Sequence, residues 1–229
     1  PGPRESRQQA LNALGRPVVE VPLLAIEPVQ APEEIQAIKD VILNFDQYQK
    51  VFFVSHNAVR ETFAWLHRYW PQLPVGVEYI AVGSKTAEAV LAEQVPVVSG
   101  VHTMDSDELL RLPLLQNVAG QKILICRGRG GLPLMGKALR ERGATVHYCE
   151  LYYRRMPAEA VTQAAPLVSQ CGNDVIPIFS GETLHNLVKV LDALGVAERG
   201  MTLVVPGSRV RQEAEQLGFT RVITAQNAA

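Results

Sequence analysis

Length, composition and charge set the first limits on what this chain can be. It has 229 residues, of which 47% are hydrophobic, so it can build one large core or two smaller ones. The formal net charge of −1 argues against a general nucleic-acid binder, because such proteins carry a broad basic surface, and no apolar run approaches the length that crosses a membrane.

In the first half of the chain, helix and strand patterns alternate. Residues 6–14 predict a helix, and Gly15 supplies a left-handed stop. Residues 18–24 predict an extended segment, and Pro22 makes this segment unsuitable as a central strand of a sheet. Further elements are predicted in this order: a helix from Glu33, a strand at 51–54, a helix at 57–69, a strand at 79–82, a helix at 85–91 and a short strand at 95–98.

The second half continues the alternation. The predicted elements are a helix from Asp105, a strand at 122–126, a helix at 134–141, a strand at 145–151, an apolar helical stripe over 184–194, and strands at 202–205 and 221–223. Helices between strands imply parallel pairing through right-handed crossovers. The sequence therefore predicts an α/β fold.

Parts of the second half repeat the first with an offset of about 125 residues. Residues 51–55 are echoed by 175–180, and residues 80–84 are echoed by 203–208. Each copy has an apolar strand, a Gly or Ser at its carboxyl end, and then a helix. In parallel α/β sheets, ligands bind in the crevice at the carboxyl ends of the strands. We therefore predict two similar lobes, each a parallel sheet flanked by helices, with one ligand between them.

The three cysteines indicate the redox compartment. Cys126 and Cys149 lie in predicted strands, and three is an odd number. Buried free thiols are typical of proteins in a reducing cytoplasm. We therefore expect a cytoplasmic protein without a disulfide framework.

Polar residues gather at the predicted strand ends. The hydroxyl-bearing or glycine positions there are Ser55, Ser84, Thr86, Ser180, Gly181 and Ser208. The arginines near strand ends are Arg127, Arg129, Arg154, Arg155, Arg209 and Arg211. Ser and Thr also serve as ordinary helix N-caps. The strand-end residues occur together with arginines, whose planar guanidinium group binds carboxylates well. This combination favours a ligand with several negative charges.

Other chemical motifs are incomplete. Gly131 to Lys137 fits most of a phosphate-binding loop, but Ala138 replaces the Ser or Thr that would ligate Mg²⁺. Gly128 and Gly130 follow a strand and Glu150 ends the next, which mimics a dinucleotide fingerprint without its third glycine. The five histidines show no metal-ligand spacing. We therefore expect no metal and no cofactor.

Five segments, taken in order, resemble the uroporphyrinogen-III synthase family. The segments are 51–59, 81–87, 123–131, 150–155 and 217–219. The resemblance implies two flavodoxin-like lobes joined by a two-strand linker, the first made of residues 1–26 and 154–229 and the second of residues 27–153. It also implies that residues 18–21 share a sheet with 176–179, and residues 51–54 share one with 123–126. Family members usually begin with a strand ending in Thr-Arg-Pro and finish with a helix, so such segments are expected to flank residues 1–229.

The resemblance also implies an activity. The substrate would be hydroxymethylbilane, a chain of four pyrroles with eight carboxylates, closed into a ring with loss of water and inversion of the last pyrrole. Tyr152 matches the tyrosine that the family is thought to use as the acid. The expected substrate-binding residues are Ser55, Ser84, Lys85, Thr86, Arg127, Gly128, Ser180, Gly181, Ser208 and Arg209. The enzyme would act as a monomer and could receive its substrate from the preceding enzyme of the pathway.

Two other interpretations remain open from the residues alone. A two-lobed module that binds polyanions without catalysis would have the same clefts. A dinucleotide-dependent oxidoreductase would use Gly128 and Glu150. Turnover of hydroxymethylbilane and a titration with NAD(P)H would distinguish these from the synthase.

Overall fold

The chain forms two compact units, each with its own sheet. The computed structural model describes residues 15, 18–98, 109–131, 133–168, 175–197 and 199–225. The discontinuous unit comprises Pro1–Ala25 and Arg155–Ala229, and the inserted unit comprises Ile26–Arg154. The predicted helix at 6–14 and the predicted helix start at Asp105 lie outside the described residues.

The inserted unit is built on a six-stranded sheet with the spatial order β1-β6-β5-β2-β3-β4. The strands are β1 (Ala25–Pro28), β2 (Lys50–Phe53), β3 (Glu78–Ala81), β4 (Val97–Val98), β5 (Lys122–Gly128) and β6 (Thr145–Arg155). The five strands from β6 to β4 pair in parallel. The predicted pairing of residues 51–54 with 123–126 is confirmed, since Val51 faces Leu124 and Phe53 faces Cys126.

Helices and apolar side chains cover both faces of this sheet. The helices are α1 (Pro32–Leu43), α2 (His56–Tyr69), α3 (Ser84–Ala92) and α4 (Leu134–Glu141). Val51 and Phe53 pack in one core with α1, α2 and α3, whereas Phe52 packs in a second core with α4 and residues 109–118. Every residue of β2 is buried, as expected for a strand in the middle of a parallel sheet.

The strand order of this sheet indicates where a ligand would bind. From β2 the chain moves outward to β3 and β4, and from β5 it moves in the opposite direction to β6. If the five parallel strands are counted in the sequence β5, β6, β2, β3 and β4, their spatial order is 2-1-3-4-5, which is the flavodoxin-like order. The direction of winding reverses between β2 and β5, and ligands of open α/β sheets bind at the carboxyl ends of the strands at this reversal. Residues after Phe53 and around Gly128 therefore mark the candidate site.

The discontinuous unit has a three-stranded parallel sheet in the order β7-β8-β9. Its elements are α5 (Ala160–Val168), β7 (Val175–Pro177), α6 (Gly181–Ala193), β8 (Thr202–Val205), α7 (Ser208–Gln216) and β9 (Arg221–Thr224). Leu184, Leu203 and Phe219 are buried together in its core. The sequence patterns did not predict α5, which carries Pro166 in its interior.

One predicted pairing is wrong. Residues 18–24 form no strand, and the described sheet of the discontinuous unit consists of β7, β8 and β9. Pro22 has no N–H to give to a ladder. The segment is held by other means: Leu23 is buried in the core of the unit, and the Asn186 side-chain amide donates to the Leu23 carbonyl at 2.8 Å.

Candidate functional site

Ser55 connects β2 to α2 at the reversal point. Its backbone is extended (φ −163°, ψ 162°), and its hydroxyl oxygen accepts a hydrogen bond from the Ala58 N–H at 3.1 Å. This is the N-cap arrangement that hydroxyl residues favour, because it satisfies one of the free N–H groups of the first helical turn. The cap leaves the Ser55 hydroxyl proton and one lone pair available for a second partner.

That second partner is Tyr152 of β6. The two hydroxyl oxygens lie 2.9 Å apart, and Tyr152 is only 2% exposed. Since β5 lies between β6 and β2, the tyrosine ring must cross β5 to reach Ser55. It does so over Gly128, where an added Cβ would lie 2.5 Å from Tyr152 Cε2. Because Gly128 has no side chain, the phenol of Tyr152 can pass over β5 and reach Ser55 at the end of β2.

A bulge in β6 turns Tyr152 toward this position. Arg127 faces Glu150 in the ladder, but the next residue of β5, Gly128, faces Tyr152, so Leu151 is extra. As a result Leu151 and Tyr152 are both buried in the core on the α2 side of the sheet. An inserted residue breaks the alternation of a strand and re-aims the side chains that follow it.

Arg127 is engaged within the inserted unit. Its Nε and Nη2 donate to Glu150 Oε1 at 3.1 and 2.8 Å, and Nη1 donates to the Gly131 carbonyl at 2.9 Å. The guanidinium also lies over the Tyr148 ring, 3.9 Å from its centre. These contacts fasten the glycine-containing loop after β5. They also engage Glu150, the carboxylate that a dinucleotide-dependent enzyme would turn toward its cofactor.

A second strand end in this unit carries basic groups. Gly83, at a positive φ of 87°, precedes α3, in which Ser84 and Lys85 are exposed and Thr86 is buried. His56 is exposed on one side, and partial burial lowers the pKa of its imidazole from the usual 6.5, with a further contribution from the positive charges of Arg60 and Lys85. His56 is therefore neutral at pH 7 and lies among cations. The sequence analysis did not select His56, although its place directly after Ser55 could have indicated it.

The discontinuous unit repeats the serine arrangement. Ser180 caps α6 with φ −162° and ψ 163°, and its hydroxyl accepts from the Thr183 N–H at 3.1 Å. Its side-chain partner is the Thr183 hydroxyl at 2.9 Å. Gly181 is buried, whereas Ser208 and Arg209 at the start of α7 are exposed. Arg209 pairs with Glu213 at 3.0 Å within that helix.

The two cysteines in strands are free and buried, as predicted. Cys126 and Cys149 face each other in the ladder between β5 and β6. A hydrogen bond with Cys126 and burial raise the pKa of the Cys149 thiol well above its usual range. Cys149 is therefore a protonated core residue and no nucleophile at neutral pH.

The structure explains the incomplete phosphate-loop motif. Gly136 and Lys137 belong to α4, and Gly136 lies against the Tyr148 hydroxyl. A side chain at position 136 would displace that tyrosine, so the glycine serves packing. Within the described ranges, no three His, Cys, Asp or Glu side chains are grouped as a metal site. None of the described helices is both long enough and apolar enough to span a membrane.

Comparisons with known proteins agree with this architecture. The family model described as "Uroporphyrinogen-III synthase HemD" matches residues 5–229. The uroporphyrinogen-III synthase of Salmonella typhimurium is 32% identical over 233 residues, covering 98% of this chain and 91% of that protein. The enzyme of Escherichia coli is also 32% identical, covering 95% of this chain and 89% of that protein.

Solved structures of this name share the fold. A mutant uroporphyrinogen III synthase of the thermophilic bacterium Thermus thermophilus superimposes with a TM-score of 0.64 at 18% identity, covering 98% of this chain and 90% of that one. The Helicobacter pylori protein gives 0.60 at 14% identity, covering 90% and 85%. With nearly the whole sequence matched, the chain belongs to the uroporphyrinogen-III synthase family.

Proposed function

We propose that this chain cyclises hydroxymethylbilane to uroporphyrinogen III, with loss of water and inversion of the last pyrrole ring. The observation that carries the proposal is the hydroxyl pair of Tyr152 and Ser55, held 2.9 Å apart at the strand-order reversal of a member of the synthase family. It supplies a proton donor at the place in the fold where ligands of parallel sheets bind.

Tyr152 is the acid in this proposal. Its phenol donates a proton to the departing hydroxyl of the bilane, which leaves as water. The resulting azafulvenium cation, which keeps its pyrrole N–H, is attacked by the substituted carbon of the terminal ring, and the cationic spiro intermediate opens and closes the other way round. The ring carbon that closes the macrocycle then releases a proton, which returns to the phenolate. The protons balance, with water as the only by-product.

Ser55 supports the phenol through its second hydrogen bond. When the Ser55 hydroxyl donates to Tyr152, it still accepts from the Ala58 N–H at 3.1 Å. A hydroxyl that accepts from a helix N-terminus is polarised, so it is a better donor to a developing phenolate. This arrangement leaves the phenol proton free for the substrate.

Strand-end groups of both units bind the carboxylates of the substrate. In the inserted unit these are Ser84, Lys85 and Thr86, with the loop that Arg127 fastens beyond Gly128. In the discontinuous unit they are Ser180, Gly181, Ser208 and Arg209. Helix N-termini and hydroxyls favour anions without a large net charge, which agrees with a net charge of −1. The enzyme works as a cytoplasmic monomer, and its substrate can pass directly from the preceding enzyme.

Turnover tests this function. The purified chain is incubated with freshly prepared hydroxymethylbilane, and uroporphyrinogen isomers I and III are resolved by chromatography after oxidation. We expect isomer III to exceed the isomer I that forms spontaneously, in the presence of a chelator and without added nucleotide. Binding of the bilane with no isomer III would support a non-catalytic module, and activity that one metal restores after chelation would contradict the cofactor-free reaction.

Tyr152→Phe tests the role of the acid. The ring and its packing over Gly128 remain while the donor is lost, so kcat should fall by about 10²–10⁴-fold, nearer the lower bound, and the product should remain isomer III. Tyr69→Phe makes the same chemical change at an exposed position of α2 and should leave turnover unchanged. A Tyr152→Phe enzyme at full rate would remove Tyr152 from the reaction, and one releasing isomer I would show that it holds the substrate conformation.

A further inference from the structure

A second cluster lies next to Tyr152 and has no place in the reaction described so far. We call it the Glu34 clamp, after its three residues Glu34, Arg129 and Tyr153. The Tyr153 hydroxyl donates to both carboxylate oxygens of Glu34, at 2.7 and 2.9 Å. Arg129 forms an ion pair with the same carboxylate, and its guanidinium carbon lies 5.7 Å from the centre of the Tyr153 ring.

The clamp joins three elements of the inserted unit. Glu34 lies in the first turn of α1, Arg129 follows β5, and Tyr153 lies near the carboxyl end of β6. The Glu34 carboxylate is largely covered, with its side chain 15% exposed. A covered carboxylate with several donors is worth more than a surface ion pair, because water screens it less.

Two links, one covalent and one a hydrogen bond, connect the clamp to Tyr152. Tyr153 is the next residue along β6. In addition, the backbone N–H of Arg129 donates a hydrogen bond to the backbone carbonyl of Tyr152 at 2.8 Å. The clamp therefore grips the backbone of β6 just after the bulge, where the regular ladder with β5 has ended at Gly128 and Tyr152.

We propose that Glu34, Arg129 and Tyr153 are positioning residues that hold the bulged end of β6, and through it the phenol of Tyr152, against Ser55. This inference rests on the proposed function. A bulge bends its strand and loosens the ladder, so the strand end needs other contacts to define the direction of a side chain. Catalytic groups lose effectiveness steeply when displaced, by about a hundredfold for a shift near 1 Å.

Tyr153→Phe tests the clamp, because it keeps the ring under Arg129 and removes the hydroxyl that Glu34 accepts. We expect kcat to fall roughly tenfold to a hundredfold, whereas KM changes by less than about twofold, since the clamp contacts no reacting atom. Glu34→Gln should act in the same direction. Glu33→Gln removes the same charge from the neighbouring, exposed position of α1 and should leave kcat unchanged.

A double variant separates positioning from general stability. In a Tyr152→Phe background, adding Tyr153→Phe should change kcat by less than about twofold, because the group being positioned is already gone. An equal loss in both backgrounds, or wild-type kcat in both Tyr153→Phe and Glu34→Gln, would overturn the proposal. Thermal unfolding of each variant identifies one that does not fold, and Arg129→Lys then replaces it.

A crystal structure of Tyr153→Phe provides a readout that does not depend on turnover. We expect the distance between the Tyr152 and Ser55 hydroxyl oxygens to lengthen from 2.9 Å to beyond hydrogen-bonding range. An unchanged distance would overturn the positioning role even if kcat had fallen. Absence of isomer III with the wild-type chain would instead refute the proposed function. The distance between the Tyr152 and Ser55 hydroxyl oxygens in the two structures would still test whether the clamp positions Tyr152.

Discussion

At the scale of single residues, the site depends on a glycine that has a steric role. Gly128 was predicted to bind substrate, and the structure gives it a contact with the Tyr152 ring that leaves no room for a Cβ. A ring that crosses a neighbouring strand needs a residue without a side chain beneath it. The fact that Tyr152 meets Ser55 is therefore decided on β5, a strand that carries neither hydroxyl.

Gly128→Ala should disrupt the hydroxyl pair without removing either hydroxyl. The new Cβ would lie 2.5 Å from Tyr152 Cε2, so the ring must shift, and we expect about 1–3 kcal/mol of destabilisation together with a loss of kcat at least as large as in Tyr152→Phe. Gly207→Ala is the steric control, because that glycine, the N-cap of α7, has extended backbone and open space around its Cβ position. Thermal unfolding and initial rates measure both; a Gly128→Ala enzyme with normal rate would contradict this account of the glycine.

His56 should report the binding of a polyanion. Partial burial, together with the charges of Arg60 and Lys85, lowers the pKa of its imidazole below 6.5, so the free energy of unfolding decreases slightly as the pH falls below that value. Carboxylates bound beside it would offset the neighbouring positive charges and raise the pKa. An NMR titration of His56 with and without uroporphyrin, which carries eight carboxylates, measures the change. The rise should shrink at high salt, and a pKa that uroporphyrin leaves unchanged would place the substrate elsewhere.

At the scale of elements, two helices start in the same way and then differ in one partner. Ser55 and Ser180 have almost identical backbone angles and the same N-cap bond of 3.1 Å. The Ser55 hydroxyl also meets Tyr152, whereas the Ser180 hydroxyl meets Thr183 of its own helix. The repeated sequence pattern therefore reproduces the cap in both units, and a contact from another strand gives one copy a further hydrogen-bond partner.

This pair of serines offers a matched comparison. Ser55→Ala and Ser180→Ala should each lower the free energy of unfolding by about 1 kcal/mol, the usual worth of an N-cap. Only Ser55→Ala should also lower kcat substantially, because Tyr152 loses its hydrogen-bond partner. Denaturant unfolding gives the first quantity and initial rates give the second. Equal losses of kcat in the two variants would mean that the hydroxyls act through substrate binding alone.

At the scale of the whole molecule, the inserted unit has its own sheet and its own hydrophobic cores, as an independent domain does. Its sheet is covered on both faces, and its two cores draw their members from within residues 26–154. The discontinuous unit has a separate core, to which Leu23 contributes from the first segment and Phe219 from the second. The inserted unit lies between the two segments of the discontinuous unit in the chain. Because each unit has a core of its own, each should be stable by itself.

A chain comprising residues 26–154 alone should therefore fold. We expect cooperative thermal unfolding by circular dichroism and dispersed amide resonances, but no formation of isomer III, because Ser180 and Ser208 are absent. Phe52→Ala, which removes a fully buried ring, should cost about 3–5 kcal/mol and abolish the cooperative transition. A gradual, non-cooperative transition in the unsubstituted chain would show that the inserted unit depends on its partner unit.

The sequence by itself determined most of the helices and strands and the helix starts at which the candidate site residues lie. Periodicity and strand-end residues place β5 and α4 almost to the residue, and they place Ser55 and Ser180 at helix starts, because these features depend on neighbours in the chain. Local preference failed where a tertiary contact replaced it, as when Asn186 holds the segment around Leu23 in place of a ladder.

Only the tertiary structure decided which polar groups meet. The bulge at Leu151, the gap at Gly128 and the engagement of Arg127 by Glu150 each depend on the pairing of β5 with β6. The Glu34 clamp likewise joins residues far apart in the chain, at positions 34, 129 and 153. Strand register and side-chain direction arise from packing between such segments, and a pattern read along one segment contains no information about its neighbour.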